Sequence, residues 1–269
     1  MNYPETTCGF KIQEIPKRRS MAPDIAWLSR SRNMMRGYME VDVTDTLRMI
    51  RKWRNQNGKS LSFTTFLVVS VAKAVAAVPN VYCSHMRNDQ VAYYEDVNIL
   101  TMVEISDEEG ERIPVGHLFR AADKLGAEGI QKSLDEFQSN YNCTDEIKKL
   151  DLLATIPRFI RRLILGGKPL DPRFIQSTMG NVLISNVSMF LPHRAAWVSG
   201  QSNHTIAIWV SSIVEKPCIV NGSILPRKIL CLTIDLDHDL IDGAPGARFA
   251  STLVRMIEKG TVLSESSNK

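Results

Sequence analysis

The stretch "LTIDLDHDLIDGAPGARF", residues 232–249, sets four aspartates and one histidine between an apolar run and a turn. A period of two places Leu230, Leu232, Ile234, Leu236 and His238 on one face and Cys231, Thr233, Asp235 and Asp237 on the other. The alternation predicts a strand whose buried face continues into the histidine, with Asp235 and Asp237 pointing away from it. One cation cannot then gather all the acids. A site on Asp237, Asp239 and Asp242 would need further oxygen ligands that no spacing here supplies. Asp242-Gly243 is a turn signal, and it predicts a reversal that brings the Asp242 carboxylate near the His238 imidazole or its backbone. A histidine held at a strand end and partly removed from water can accept a proton near neutral pH. The competing reading is a histidine that merely caps a strand.

Working outward, "NVLISN", "TIAIWVSSIVEKPCIV" and "RKILCLTIDLD" read as strands separated by turns at Pro192, Gly200, Asn221-Gly222 and Pro226. Downstream, "PGARFASTLVRMIEKG" puts Phe249, Leu253, Met256 and Ile257 on one side of a helix, and the tail "TVLSESSNK" is expected to fray. Near the N-terminus, "VDVTDTLRMIRKWRNQNGK" predicts a short strand, then a helix capped by Thr44 or Asp45, carrying Leu47, Ile50 and Trp53 and stopped by Asn57-Gly58. "FTTFLVVSVAKAVAAV", residues 63–78, carries Lys73 and is shorter than a bilayer requires, so it reads as a buried helix ahead of Pro79. "QVAYYEDVNILTMVEI" predicts strand, turn and strand, with "SDEEGER" as a polar excursion. "RAADKLGAEGIQKSLDEFQSNY" spaces Leu125, Ile130, Leu134 and Phe137 for a helix that two glycines weaken.

Residues 141–180 are the least regular part. Within them "IPRFIRRLILGGKP" mixes Ile156, Phe159, Ile160, Leu163 and Ile164 with Arg158, Arg161 and Arg162. Two readings exist: an amphipathic helix that touches a membrane surface or an acidic partner, or a helix folded over the domain with its arginines in water. The second is the commoner behaviour of such helices and is the expectation.

Helices and strands interleave early and strands cluster late, which points to an α/β or α+β sandwich. The chain of 269 residues has 44% hydrophobic and 23% charged residues, ordinary for a globular protein. Its net charge of +4 is too small and too scattered to imply a nucleic-acid partner. Five cysteines, never spaced as CxxC, argue against a zinc ribbon and suggest reduced thiols in a cytoplasm. No apolar h-region opens the chain, so a secretory signal is not supported.

The pattern HxxxDG, His238 to Gly243, should arise by chance roughly 0.02 times in a chain of this composition. Here the sequence resembles a family: the catalytic domain of dihydrolipoyl acyltransferases of 2-oxoacid dehydrogenase complexes, with chloramphenicol acetyltransferase more distant. "MEVDVTDTLRMIRK", "GKSLSFTTFLVVSVAKAVAAVP", "VAYYEDVNI", "ADKLGAEGI", "LISNVSMF" and "EKPCIVNGSILPRKILCLTIDLDHDLIDGAPGARF" are similar to successive family segments, in order.

The resemblance implies a chloramphenicol acetyltransferase-like α/β sandwich with a mixed central sheet and helices on one face. It implies that His238 is the general base, that Asp242 fixes the loop and the histidine, and that the Ser185 hydroxyl donates to the oxyanion of a tetrahedral intermediate, with no covalent enzyme intermediate. Asn186, Gly243 and His193 are the expected substrate-binding neighbours, although Asn186 is more often structural in such a place and His193, like His204, reads more simply as a polar loop residue. The implied co-substrate is coenzyme A as its acyl thioester, and the acceptor is a thiol or hydroxyl, including a lipoyl group presented in trans. The implied assembly is a homotrimer or a multiple of it, with the site between subunits. No metal, nucleic acid, membrane contact or lipoyl group on this chain is expected, and the location is cytoplasmic.

Three departures stand out. Asp239 takes a position that is usually basic in the family, "TMVEISDEEGERIPVG" replaces a glycine-containing strand and turn, and the segment of 145–180 is longer than its counterpart. The expected organisation is an N-terminal extension at 1–38, a catalytic domain at 39–260 with an insertion about 141–180, and a polar tail at 261–269. The alternatives are a non-catalytic trimeric scaffold that keeps this fold and, disfavoured by the strand-face argument, a carboxylate metal-dependent hydrolase.

Overall fold

The computed structural model describes residues 22–86, 89–106, 112–140, 155–166 and 171–264. In chain order its main elements are α1 (Ala22–Leu28), β1 (Met34–Asp42), α2 (Thr44–Asn57), α3 (Phe63–Ala77), β2 (Cys83–His85), β3 (Val91–Tyr93), β4 (Ile99–Ser106) and β5 (Arg112–Phe119). Then follow α4 (Ala122–Asn140), α5 (Arg158–Gly166), α6 (Pro172–Thr178), β6 (Val182–Asn186), β7 (Ile206–Val220), β8 (Ser223–Asp237), α7 (Gly243–Lys259) and α8 (Thr261–Ser264).

β7 and β8 form a long antiparallel hairpin. Asn221 and Gly222 turn it, both at positive φ (50° and 80°), as a two-residue turn that matches strand twist requires. Around this hairpin the six-stranded sheet runs β1-β8-β7-β6-β4-β5. β1 and β8, β7 and β8, and β4 and β5 pair antiparallel, whereas β6 lies parallel to both β7 and β4. β2 and β3 make a separate two-stranded ribbon.

Helices cover one face of the sheet. Leu230, Leu232, Ile234 and Leu236 of β8, with Ile206, Ile208 and Val210 of β7, share one buried cluster with Phe66, Val71 and Val75 of α3 and Phe249, Leu253 and Ile257 of α7. Each such large side chain contributes about 1.5–3 kcal/mol by leaving water. α3 starts at Ser62, whose Oγ accepts the Thr65 amide at 2.9 Å, and ten of its residues are buried, as its unbroken apolar run requires. α7 approaches the sheet closely at Gly246, where an added Cβ would stand 2.8 Å from Leu236 Cδ1.

Several expectations are corrected. β1 begins at Met34, inside the segment read as an extension. α2 is capped at Val43 rather than Thr44 or Asp45, with the Thr44 amide donating to Asp42 Oδ1 at 2.9 Å; it ends at the left-handed Gly58 as expected. Leu125 is exposed, because Gly126 (φ 65°, ψ 179°) breaks α4 one residue later and turns the first stretch out of phase with Ile130, Leu134 and Phe137, which are buried. The tail is helical through Ser264, with Val262 and Leu263 buried. "SDEEGER" lies largely outside the described residues.

Candidate active site

His238 follows directly on β8 and is exposed. Its amide donates to the Asn33 carbonyl at 2.7 Å, and Asn33 Nδ2 donates to Asp239 Oδ1 at 2.8 Å. Behind it stands Asp237, fully buried. Its Oδ2 accepts from Arg32 Nη1 at 2.5 Å, its Oδ1 accepts the Asp239 amide at 3.2 Å, and its carbonyl receives the amides of Leu240 and Ile241. The histidine-bearing turn is thus fastened by Arg32 and Asn33, just ahead of β1. Sequence reasoning did not single out these two, since no local pattern links residues 205 positions apart.

The expectation for the strand is therefore corrected in part: the leucine face is buried as expected, but the carboxylates are inside as well and the histidine is outside. β8 is buried on both faces from Ile229 to Asp237. The helix-free face of the sheet closes over Asp235, whose Oδ2 accepts from Ser199 Oγ and Trp209 Nε1, both at 3.0 Å, with Arg36 Nε at 3.4 Å. Gly200 crosses the Trp209 ring, where a Cβ would stand 2.6 Å from Cη2. Asp235 Oδ1 and Thr233 Oγ1, also buried on this face, have no hydrogen-bond partner among the described residues. His85, Asp237 and Asp239 bring possible ligand atoms within 4.8 Å of one another. Arg32 and the Asp239 amide already engage both Asp237 oxygens, so this group is a charge-compensated anchor of the turn.

Of the expected site residues, Asp242 precedes α7, and its carbonyl accepts the Gly246 amide at 3.1 Å. Among the described residues its carboxylate has no hydrogen bond or ion pair, so within one chain it does not hold the imidazole. Gly243 opens α7, and a Cβ there would meet open space. Ser185 is half-buried on β6, and its hydroxyl likewise has no partner among the described residues. Asn186 is structural in part: its Oδ1 accepts from the Ser188 amide (3.1 Å) and hydroxyl (2.8 Å), and its Nδ2 donates to Thr64 Oγ1 at 3.1 Å. His193 is exposed, at φ 66°. His204 is a buried residue rather than a polar loop position. Its ring bonds Ser202 Oγ at 2.8 Å and the Met179 carbonyl at 3.2 Å, and burial pushes its pKa down to about 4. The same physics raises the Cys83 thiol to about 11, through burial and then the Asp237 charge, which disfavours the thiolate.

The sheet register separates Ser185 from His238. Ser185 lies level with Trp209, and Trp209 with Thr233. From Thr233 to His238 the chain advances five residues, about 17 Å along the strand at ~3.3 Å per residue, and β8 lies two strands, about 10 Å, to the side of β6. A hydrogen-bonded site that uses both side chains of one chain is out of reach.

Solved dihydrolipoamide acyltransferase cores share this fold. A probable dihydrolipoamide acetyltransferase from Listeria monocytogenes superposes with a TM-score of 0.69 at 19% identity, covering 94% of this chain and 96% of that one. The cubic core of the pyruvate dehydrogenase multienzyme complex gives 0.69 at 16% over 98% of both. A dihydrolipoamide acetyltransferase from Azotobacter vinelandii, studied for the role of a serine, a histidine and an asparagine in its catalytic mechanism, gives 0.66 at 17% over 98% of both. The chain belongs to the 2-oxoacid dehydrogenases acyltransferase (catalytic domain) family, whose model matches residues 14–142 and 168–264. Among curated relatives, the succinyltransferase component of the 2-oxoglutarate dehydrogenase complex of Buchnera aphidicola subsp. Schizaphis graminum is 22% identical over 92% of this chain and 56% of its own length. The acetyltransferase component of the pyruvate dehydrogenase complex of Rickettsia bellii is 26% identical over 79% and 43%. The chain spans about half the length of the curated relatives it matches.

Proposed function

We propose that this protein is an acyltransferase that moves an acyl group between a coenzyme A thioester and a thiol or hydroxyl acceptor, at a site shared by two copies of the chain. The observation that carries this reading is the placement of His238 and Ser185. Both side chains lack partners among the described residues, and by the sequence resemblance they match the family's base and oxyanion donor. They lie too far apart to act together within one chain. A homotrimer, or a multiple of it, brings the His238 of one subunit toward the Ser185 of the next. The Asp242 carboxylate, unpartnered among the described residues, would find its partner in the same closure.

In this mechanism the His238 imidazole takes the proton from the acceptor thiol or hydroxyl, which attacks the thioester carbonyl. The Ser185 hydroxyl donates to the resulting oxyanion, where the charge develops. Collapse expels the coenzyme A thiolate, and the imidazolium returns the proton to it. No acyl-enzyme forms. Arg32 and Asn33 act as positioning residues for the turn that carries the base. A dihydrolipoyl dithiol presented in trans is the acceptor that the relatives' names point to. The Azotobacter enzyme's histidine and asparagine stand at the same spacing as His238 and Asp242, which supports the pairing of roles. Asn186 shapes the turn beside Ser185, while Gly243 and His193 complete the substrate-binding set.

The test is turnover of acetyl- and succinyl-coenzyme A against thiol, amine and hydroxyl acceptors, read by chromatography as loss of the acyl-coenzyme A and appearance of free coenzyme A, with and without chelator. The expected result is turnover that His238→Ala abolishes with the fold intact and that chelator leaves unchanged. Equal turnover in His238→Ala would sink the proposal, and loss on chelation would point to a metal-dependent hydrolase.

A further inference from the structure

α5 is built inside out. Phe159 and Leu163, four apart and hence on one helix face, are each 73% exposed, while the arginines converge on one buried carboxylate. Arg158 Nε, Arg161 Nη2 and Arg162 Nε lie 3.2, 2.8 and 3.0 Å from the carboxylate of Asp24 on α1, which is 1% exposed. Burial would push that carboxyl up, but the three guanidinium hydrogen bonds together hold it below its ordinary value. The sequence expectation of arginines in water over a packed apolar face is corrected in part: Arg158 and Arg162 keep some exposure, but Arg161 is buried and all three meet Asp24, a buried counter-charge more than a hundred residues upstream that no local pattern reveals.

Two consequences follow for the surface. Three guanidinium groups share one carboxylate, so among the described residues the α1–α5 pair carries two surplus positive charges. Arg158 and Arg162 keep 52% and 33% of their side chains in water beside the apolar face. Trp27 of α1, 37% exposed, lies under the Arg162 guanidinium at 5.3 Å. An exposed phenylalanine and leucine, flanked by an amphipathic tryptophan and by excess arginine, match the chemistry of a helix lying in an anionic lipid interface. α5 falls within residues 143–167, which the family model leaves unmatched, so the patch is an addition to the acyltransferase core. No helix of the described residues is long and apolar enough to cross a membrane, which leaves a surface-lying mode.

We propose that the outward face of α5, centred on Phe159 and Leu163, docks the protein on an anionic lipid surface. The apolar side chains enter the acyl boundary, and the surplus arginine charge selects acidic headgroups. A second copy of the chain is the competing occupant.

The test is co-sedimentation of the full chain with phosphatidylcholine vesicles, with and without phosphatidylglycerol, alongside light scattering without lipid. The wild type is expected to bind the anionic vesicles, to be released by added salt, and to ignore pure phosphatidylcholine. Phe159→Ser/Leu163→Ser should bind about tenfold or more weakly. Both positions are exposed, so the variant should keep its melting temperature and its mass in solution. Equal binding by wild type and variant, or no binding by wild type, would overturn the proposal. A drop in assembly mass in the double variant would assign the face to a second copy instead.

Discussion

Arg32 and Asp237 form an ion pair at 2.5 Å across 205 residues of sequence, with the carboxylate fully buried and the guanidinium side chain 20% exposed. The pair closes the end of the β1–β8 ladder, one residue before His238. Removing one partner strands a buried charge, whereas removing both does not. Arg32→Met should therefore cost about 3–5 kcal/mol, and Arg32→Met/Asp237→Leu should cost less than that single change. Urea unfolding of both variants checks this. A single-variant loss below about 1 kcal/mol, typical of exposed pairs, would mean that water replaces the guanidinium.

Gly200 and Trp209 are coupled by contact rather than by backbone conformation. A Cβ on residue 200 would stand 2.6 Å from the indole, and the indole is fixed by its hydrogen bond to Asp235. Gly200→Ala should destabilise by about 1–3 kcal/mol through overpacking. In Trp209→Leu the same alanine should cost far less, and a double-mutant cycle reads the difference. Strictly additive effects would show that the loop moves aside.

His204 gives the fold an acid-sensitive point. Its pKa falls to about 4 through burial, against about 6.5 for a free imidazole. A depressed histidine pKa favours the folded state above the unfolded value, so its contribution is whole above pH ~6.5 and is lost as pH falls toward 4. The full loss is on the order of 3 kcal/mol. Unfolding free energies measured between pH 7 and 5 should fall in the wild type and vary less in His204→Gln, which retains polar atoms for Ser202 and the Met179 carbonyl. Parallel pH profiles would remove His204 as the cause.

The central hairpin and its Asn221-Gly222 turn were legible because the turn residues and the apolar runs demand them locally. α3 and α7 were legible for the same reason, in their periodicity. What escaped was anything settled by a distant partner. The alternation along β8 assigned Asp235 and Asp237 correctly to the face opposite Leu236, but it treated that face as wet. Trp209, Ser199, Arg36 and Arg32 cover it, and none of them is adjacent in sequence. The arginines of α5 were misjudged in the same way, since their counter-charge sits on α1. Leu125 failed for a local reason, the break at Gly126, which the sequence flagged without revealing its direction.

If the site takes His238 from one copy and Ser185 from another, two inactive variants should repair each other. His238→Ala retains a sound Ser185, and Ser185→Ala retains a sound His238. Subunits mixed at random in a closed ring place a serine-deficient chain and a histidine-deficient chain in the productive order at about one interface in four. Unfolding the two variants together and refolding them should thus restore about a quarter of wild-type turnover, while each variant refolded alone stays near its residual level. A site completed within one chain predicts no gain on mixing. The sheet register already opposes such a site, because it holds Ser185 level with Thr233, five residues short of His238.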